Sequence, residues 1–86
     1  MSWDEQAFIE KLENNHEFPG KYIFKFIVKP EHQEKVEALV EEAEIRLKPS
    51  SGNKYISVTI HAHMETSSAV VDVYKEAKKI EGIISL

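Results

Sequence analysis

Apolar and polar residues alternate along two long stretches of the chain, and this alternation predicts two β-strands. From Lys21 to Lys29 the even positions are aromatic or aliphatic, and from Lys54 to Met64 the even positions from 56 onward are all apolar. Successive strand side chains point to opposite faces, so each strand should turn one face toward a core. Two shorter segments, the alternating residues 45–48 and the mainly apolar residues 83–86, are predicted as further strands. In the first of these, Ile45 and Leu47 should point inward, and Arg46 and Lys48 outward.

Apolar residues at helical spacing predict three helices. The first covers residues 2–15, where Ser2 and Glu5 form a capping-box pattern. Pro30 should open the second helix, and Thr66 or Ser67 should cap the third, which Gly82 ends. The three apolar stripes are expected at Trp3, Ala7, Phe8 and Leu12; at Val36, Leu39, Val40 and Ala43; and at Val70, Val73, Tyr74, Ala77 and Ile80.

The element order is α, then βαβ, then βαβ, with a hairpin at residues 49–53 between the two units. This order predicts an α+β protein with a ferredoxin-like βαββαβ sandwich: a four-stranded antiparallel sheet with two helices on one face. We expect one domain over residues 1–86, with the core at 18–86 and an extra N-terminal helix at 2–15. That helix has three alternatives, which are docking on the domain, binding a partner, or covering the open face of the sheet.

The charges are unevenly distributed along the chain. The formal net charge is −4, yet no Asp or Glu occurs at residues 18–30 or 45–64. These ranges contain most of the predicted strand residues, so an acidic protein is expected to present a basic sheet face. The side chains that should meet there are Lys25, Lys29, Arg46, Lys48, His61 and His63.

Two kinds of function fit this pattern. The first is a non-enzymatic regulatory or interaction domain, in which Ile23 and Ile27 on the open face, with Trp3 and Phe8 of the N-terminal helix, contact a protein partner or a second copy. The alternative is a binder of small anionic ligands or nucleic acid through the basic face. Base stacking on the sheet is not supported, because the aromatic residues of the first strand should point into the core.

The sequence gives little support for catalysis or for binding of a metal or cofactor. There is no cysteine, and no phosphate-loop or nucleophile-elbow motif. His61 and His63 would share one face, but two imidazoles rarely hold zinc without a third ligand. We therefore expect no catalytic residues, cofactor or metal. The N-terminal residues do not form a secretion signal and no segment has the length of a membrane span, so a cytoplasmic protein without membrane contact is expected.

Several short segments of the chain form a recognisable set: Phe18-Pro19, Lys25, Lys48-Pro49-Ser50-Ser51, Tyr55-x-Ser57-Val58, Tyr74, Lys79-Ile80 and Gly82. With these segments the chain resembles the YbeD-like family, which comprises small bacterial proteins of unknown function that are sometimes labelled lipoate regulatory proteins. The resemblance covers residues 18–86 and implies a ferredoxin-like domain similar to ACT regulatory domains. It implies no established activity and no catalytic residues.

Overall fold

Every predicted strand and helix is present in the computed structural model, which describes residues 4–50, 52 and 54–85. The elements in chain order are α1 (Glu5–Asn15), β1 (Gly20–Val28), a 3₁₀ turn (Pro30–His32), α2 (Gln33–Glu37), β2 (Glu44–Pro49), β3 (Ile56–Met64), α3 (Ser67–Ala77) and β4 (Ile84–Ser85). No helix among these described residues is both long and apolar enough to cross a membrane.

The four strands form one antiparallel sheet in the order β2-β3-β1-β4. Its α+β composition and strand arrangement are compatible with a ferredoxin-like fold. Side chains on one face of the sheet and on the helices form a single hydrophobic core. The fully enclosed members are Phe24, Phe26, Val28, Val36, Val58, Ile60 and Val70. The predicted inward faces of β1 and β3 are therefore confirmed.

The start of α1 differs from the predicted capping box. Asp4 is the N-cap, and its carboxylate accepts a hydrogen bond from the Ala7 backbone N–H at 3.1 Å. Ser2 and Trp3 lie outside the described residues. Ala7 itself is exposed, so its place in the apolar stripe was wrong. The residues of α1 that pack against the core are Phe8 and Leu12, as predicted, and Ile9.

The second helix is much shorter than its apolar stripe predicted. α2 ends at Glu37. The Ala38 N–H still bonds to the Glu34 carbonyl four residues back, but the Leu39 N–H bonds to the Val36 carbonyl, only three residues back. This tighter turn ends the α-helix, because the 3₁₀ pattern does not propagate far. Leu39, Val40 and Ala43 still pack against the core, but from turns rather than from a helix.

Helix α3 begins as predicted, because the Thr66 hydroxyl accepts a hydrogen bond from the Ala69 N–H at 3.1 Å. The helix ends at Ala77, and Ile80 follows in a turn whose bonds again reach three residues back. Gly82 therefore does not cap the helix directly. It adopts φ +74° in the turn that leads to β4, a conformation that glycine takes without the steric cost of a side chain.

Leu47 points to the predicted side of the sheet, but it is not buried there. Its neighbour across the ladder, Val58, is fully buried, yet Leu47 is 43% exposed. β2 is an edge strand with one neighbour, and the short α2 packs on β3 rather than over this edge. The side of β2 that faces the helices is therefore only partly covered.

Candidate interaction surface

The strand register determines which side chains share the face of the sheet that points away from the helices. Residues directly opposite one another in an antiparallel pair lie on the same face. We call this side the open face, and its cross-strand rows are Lys21–His63; Ile23–His61–Glu44; Lys25–Thr59–Arg46; and Ile84–Ile27–Ser57–Lys48.

The residues predicted to form a basic face do lie on the open face. Lys25 and Arg46 share a row on either side of Thr59, and Lys48 lies one row further on. Lys29 follows the end of β1 and is exposed. Lys21 joins the same face at the other end of the strand. Thus the structure brings together cations that are far apart in sequence.

The open face also contains the carboxylate of Glu44, a residue that was not predicted to lie there. β2 begins at Glu44, one residue before the predicted start, and the Glu44 carboxylate accepts hydrogen bonds from the Arg46 Nε and Nη2 at 3.1 and 2.9 Å. The hydrogen bond and the charge of Arg46 lower the pKa of Glu44, with smaller contributions from His61 and Lys21. The face is therefore less basic than an acid-free strand implied, because Arg46 is already paired.

The two histidines project from β3 on the same face, as their spacing predicted. His61 is half-buried between Ile23 and Glu44 in its row. His63 is exposed, and its Nε2 lies 3.2 Å from a carboxylate oxygen of Glu65. The part of the chain that the structure describes contains no group of three or more His, Cys, Asp or Glu side chains placed to hold a metal ion.

Three isoleucines interrupt the polar surface of the open face. Ile23 and Ile84 are each 50% exposed, and Ile84 lies opposite Ile27 in the ladder between β1 and β4. Ile23 and Ile27 were predicted from the sequence to lie on this face, whereas Ile84 was not. The signal for Ile84 was its place in the short terminal strand, whose register could not be read from the sequence.

Phe8 does not belong to this surface. Its ring packs edge-on against Tyr74 of α3, with the ring centres 5.5 Å apart. Contacts between α1 and α3 hold the N-terminal helix on the helical side of the molecule. Of the three alternatives for the N-terminal helix, docking on the domain therefore holds for α1. Trp3, the other predicted contact residue on this helix, lies outside the described residues.

Two grooves lie beside α1. The larger, of about 690 Å³, is lined by Glu13, His16, Glu17, Phe18, Pro19, Glu65, Thr66 and Ser67. In this groove the buried Ser67 hydroxyl donates a hydrogen bond of 2.7 Å to Glu13, which ties α1 to the start of α3. The smaller groove, of about 410 Å³, is lined by Phe8, Lys11, Leu12, Asn15, His16 and Tyr22.

The shifted pKa values have local structural causes. Burial, and then a hydrogen bond of 3.3 Å to the Tyr22 hydroxyl, raise the pKa of Tyr74. A hydrogen bond to Glu5 raises the pKa of Lys75, whose Nζ lies 2.6 Å from the Glu5 carboxylate. The first contact joins α3 to β1 and the second joins α3 to α1, so both connect α3 to its neighbours.

Comparison with known proteins gives one match. The sequence model of a family described as "Protein of unknown function (DUF493)" matches residues 13–86. Neither the curated proteins nor the solved structures contain a match to this chain. The match covers β1 to β4 and the end of α1, and DUF493 is the family that the short sequence segments resembled. The chain is thus a member of the DUF493, or YbeD-like, family.

Proposed function

We propose that this protein is a non-enzymatic interaction domain of the bacterial cytoplasm, similar to ACT regulatory domains, which holds a protein partner on its open face. The observation that carries this proposal is the exposure of Ile23 and Ile84 on that face, where Ile27 completes an apolar patch beside Ile84. Burying the exposed half of the Ile23 or the Ile84 side chain would stabilise a complex by about 1 kcal/mol for each residue.

The architecture supports the same function. The strand order β2-β3-β1-β4, and a core shared by α2 and α3, fit a ferredoxin-like domain with two helices on one face. Such a domain leaves its other sheet face available for contact. The resemblance to ACT-like domains, which commonly work by pairing, favours regulation through contacts of this kind.

A second candidate function is the binding of an anionic ligand or nucleic acid. The observation that favours it is the group of exposed lysines on the open face, Lys21, Lys25 and Lys48, in a chain of net charge −4. No ion pair recorded among the described residues includes any of these three. Because Arg46 is already paired with Glu44, this function has less support than the first.

The isoleucine patch can be tested by replacing Ile23 and Ile84 together with serine. Both side chains are half exposed, so the variant should fold, because outward substitutions usually change stability by less than about 0.5 kcal/mol. We expect partner capture by the intact protein from a bacterial lysate, or self-association measured by sedimentation, to be lost in this variant.

Leu47→Ser is the matched control, because Leu47 is similarly exposed but lies on the other side of the sheet. It should leave capture and association unchanged. If the double variant keeps both properties, or if Leu47→Ser loses them equally, the open face is not the contact surface.

A further inference from the structure

The central strand β1 is paired unevenly along its two edges. β3 pairs with it over its whole length, from Gly20 to Val28, whereas the described part of β4 pairs only with Phe26 and Ile27. Among the residues that the structure describes, the β4 side of residues 20–24 therefore has no neighbouring strand. An edge of this kind presents backbone N–H and C=O groups that can pair with an added strand.

The smaller groove lies next to this unpaired edge, on the helical side of the sheet. Tyr22 of β1 forms one wall, and Phe8 and Leu12 of α1 contribute the apolar part of the other. His16 also contacts the Tyr22 ring, with the ring centres 5.0 Å apart. The volume of the groove, about 410 Å³, is large enough to hold one apolar side chain of a strand that lies along the edge.

The charged side chains that line the groove or project from residues 20–25 are all lysines. Lys11 lines the groove, while Lys21 and Lys25 project on the open face, with Ile23 between them. The described residues that line the groove or project from residues 20–25 include no carboxylate. No ion pair found in the described part of the chain occupies these lysines. An acidic strand is therefore the complementary occupant.

We propose that the β4 side of residues 20–24 binds an extended, acidic segment of a partner protein by strand addition. The segment lies antiparallel to β1, in line with β4. One of its side chains fills the groove at Tyr22, and its carboxylates meet Lys11, Lys21 and Lys25. This inference goes beyond the function proposed above, because it uses the backbone edge and holds even if the isoleucine patch of the open face binds nothing.

A synthetic probe tests the proposal directly. It is a blocked ten-residue peptide in which Glu alternates with Val, Phe replaces the central Val, and Glu replaces the Val two positions after the Phe, so that one carboxylate shares the Phe face and can reach Lys11. The comparison peptide has Lys in place of every Glu. Backbone N–H groups of successive strand residues point to opposite edges, so alternate amides within residues 20–24 should exchange rapidly in the free protein. We expect the acidic probe to bind saturably and to slow the exchange of these amides, and the basic peptide to do neither.

Charge reversal separates this edge from general attraction to the protein. Replacing Lys11, Lys21 and Lys25 together with Glu should weaken binding of the acidic probe by about tenfold or more, as expected for the loss of three exposed charge pairs. The control variant carries Lys35→Glu, Lys54→Glu and Lys79→Glu, which changes the net charge equally but away from the edge and from the open face. It should bind the probe within about twofold of the unmodified protein.

Three results would overturn the inference. The first is protection of β2 amides, or shifts confined to Thr59 and His61, which would place the probe on the other edge or on the open face. The second is equal weakening in both triple variants. The third is protection of residues 20–24 in concentrated protein without probe, together with a doubled mass, which would show that a second copy occupies the edge.

Discussion

A carboxylate at the start of β2 reduces the positive charge of the open face. Glu44 lies at the first position of β2 and binds Arg46 through two hydrogen bonds, although both side chains are largely exposed. An exposed pair of this kind adds little to folding stability. Its larger effect is on recognition, because an incoming anion must compete with Glu44 for the guanidinium, while Lys25 and Lys48 remain available.

Titration of Glu44 should report this pairing. Arg46 lowers the pKa of Glu44 below its ordinary value of 4.5, so the pairing is fully present above that pH and is lost as the pH falls through the lowered pKa. Arg46→Gln should therefore raise the Glu44 midpoint toward 4.5, measured by NMR of the side-chain carboxyl carbon. Arg46→Lys should retain part of the shift. Identical midpoints in all three proteins would mean that the pair does not form in solution.

The link between α1 and β1 leaves no room for a side chain at Gly20. The peptide bond between Phe18 and Pro19 is cis, and Gly20 begins the strand. A Cβ atom at Gly20 would lie only 2.6 Å from the backbone carbonyl oxygen of Glu17. Real Cβ atoms almost never approach a neighbour this closely, so glycine is required by contact rather than by its backbone angles.

Gly20→Ala should consequently destabilise the protein, by about 1–3 kcal/mol, because the link must shift to admit the methyl group. Urea denaturation followed by circular dichroism measures this change. Ser57→Ala is a suitable control, since Ser57 lies half-buried on the open face of β3, and it should stay within about 0.5 kcal/mol of the parent. Equal stability of Gly20→Ala and the parent would show that the link differs from the structure described.

The strands and helices also show which features of the fold the sequence could predict. The alternation in β1 and β3 was sufficient to assign the inward faces of both strands, because the period of a strand leaves one choice of face for a run of buried residues. The ends of α2 and α3 were not predictable, since apolar residues at helical spacing continue into turns with the shorter hydrogen bonds. The missed residues Glu44 and Ile84 both depend on strand boundaries and register, which short edge strands specify weakly.

Across the whole molecule, positive charge collects on the sheet and negative charge on the helices. Lys21, Lys25 and Lys48 project from the open face, while α1, α2 and α3 together contain seven carboxylates and three lysines. The net charge of −4 hides this separation. Weak attraction of an anionic probe to the open face is therefore expected even when the biological partner is a protein.

Reversing Lys25, Arg46 and Lys48 together to Glu tests that attraction. Binding of a single-stranded oligonucleotide, measured by fluorescence anisotropy, should fall steeply with added salt, because neutralised phosphates release counterions. The triple variant should lose the binding without unfolding, whereas a control with Lys35, Lys54 and Lys79 reversed should keep it. Binding that persists in the first variant, or that does not depend on salt concentration, would show that the open face is not an anion site.

The separation of charge between sheet and helices also makes the protein an electric dipole. Its positive end is the open face and its negative end is the helical layer, so a negatively charged body that approaches by diffusion turns the protein until the open face leads. The orienting torque weakens once the distance exceeds the Debye length, roughly 8 Å at physiological ionic strength. The dipole therefore guides only the last stage of an encounter, just before the isoleucine patch or the β1 edge is reached.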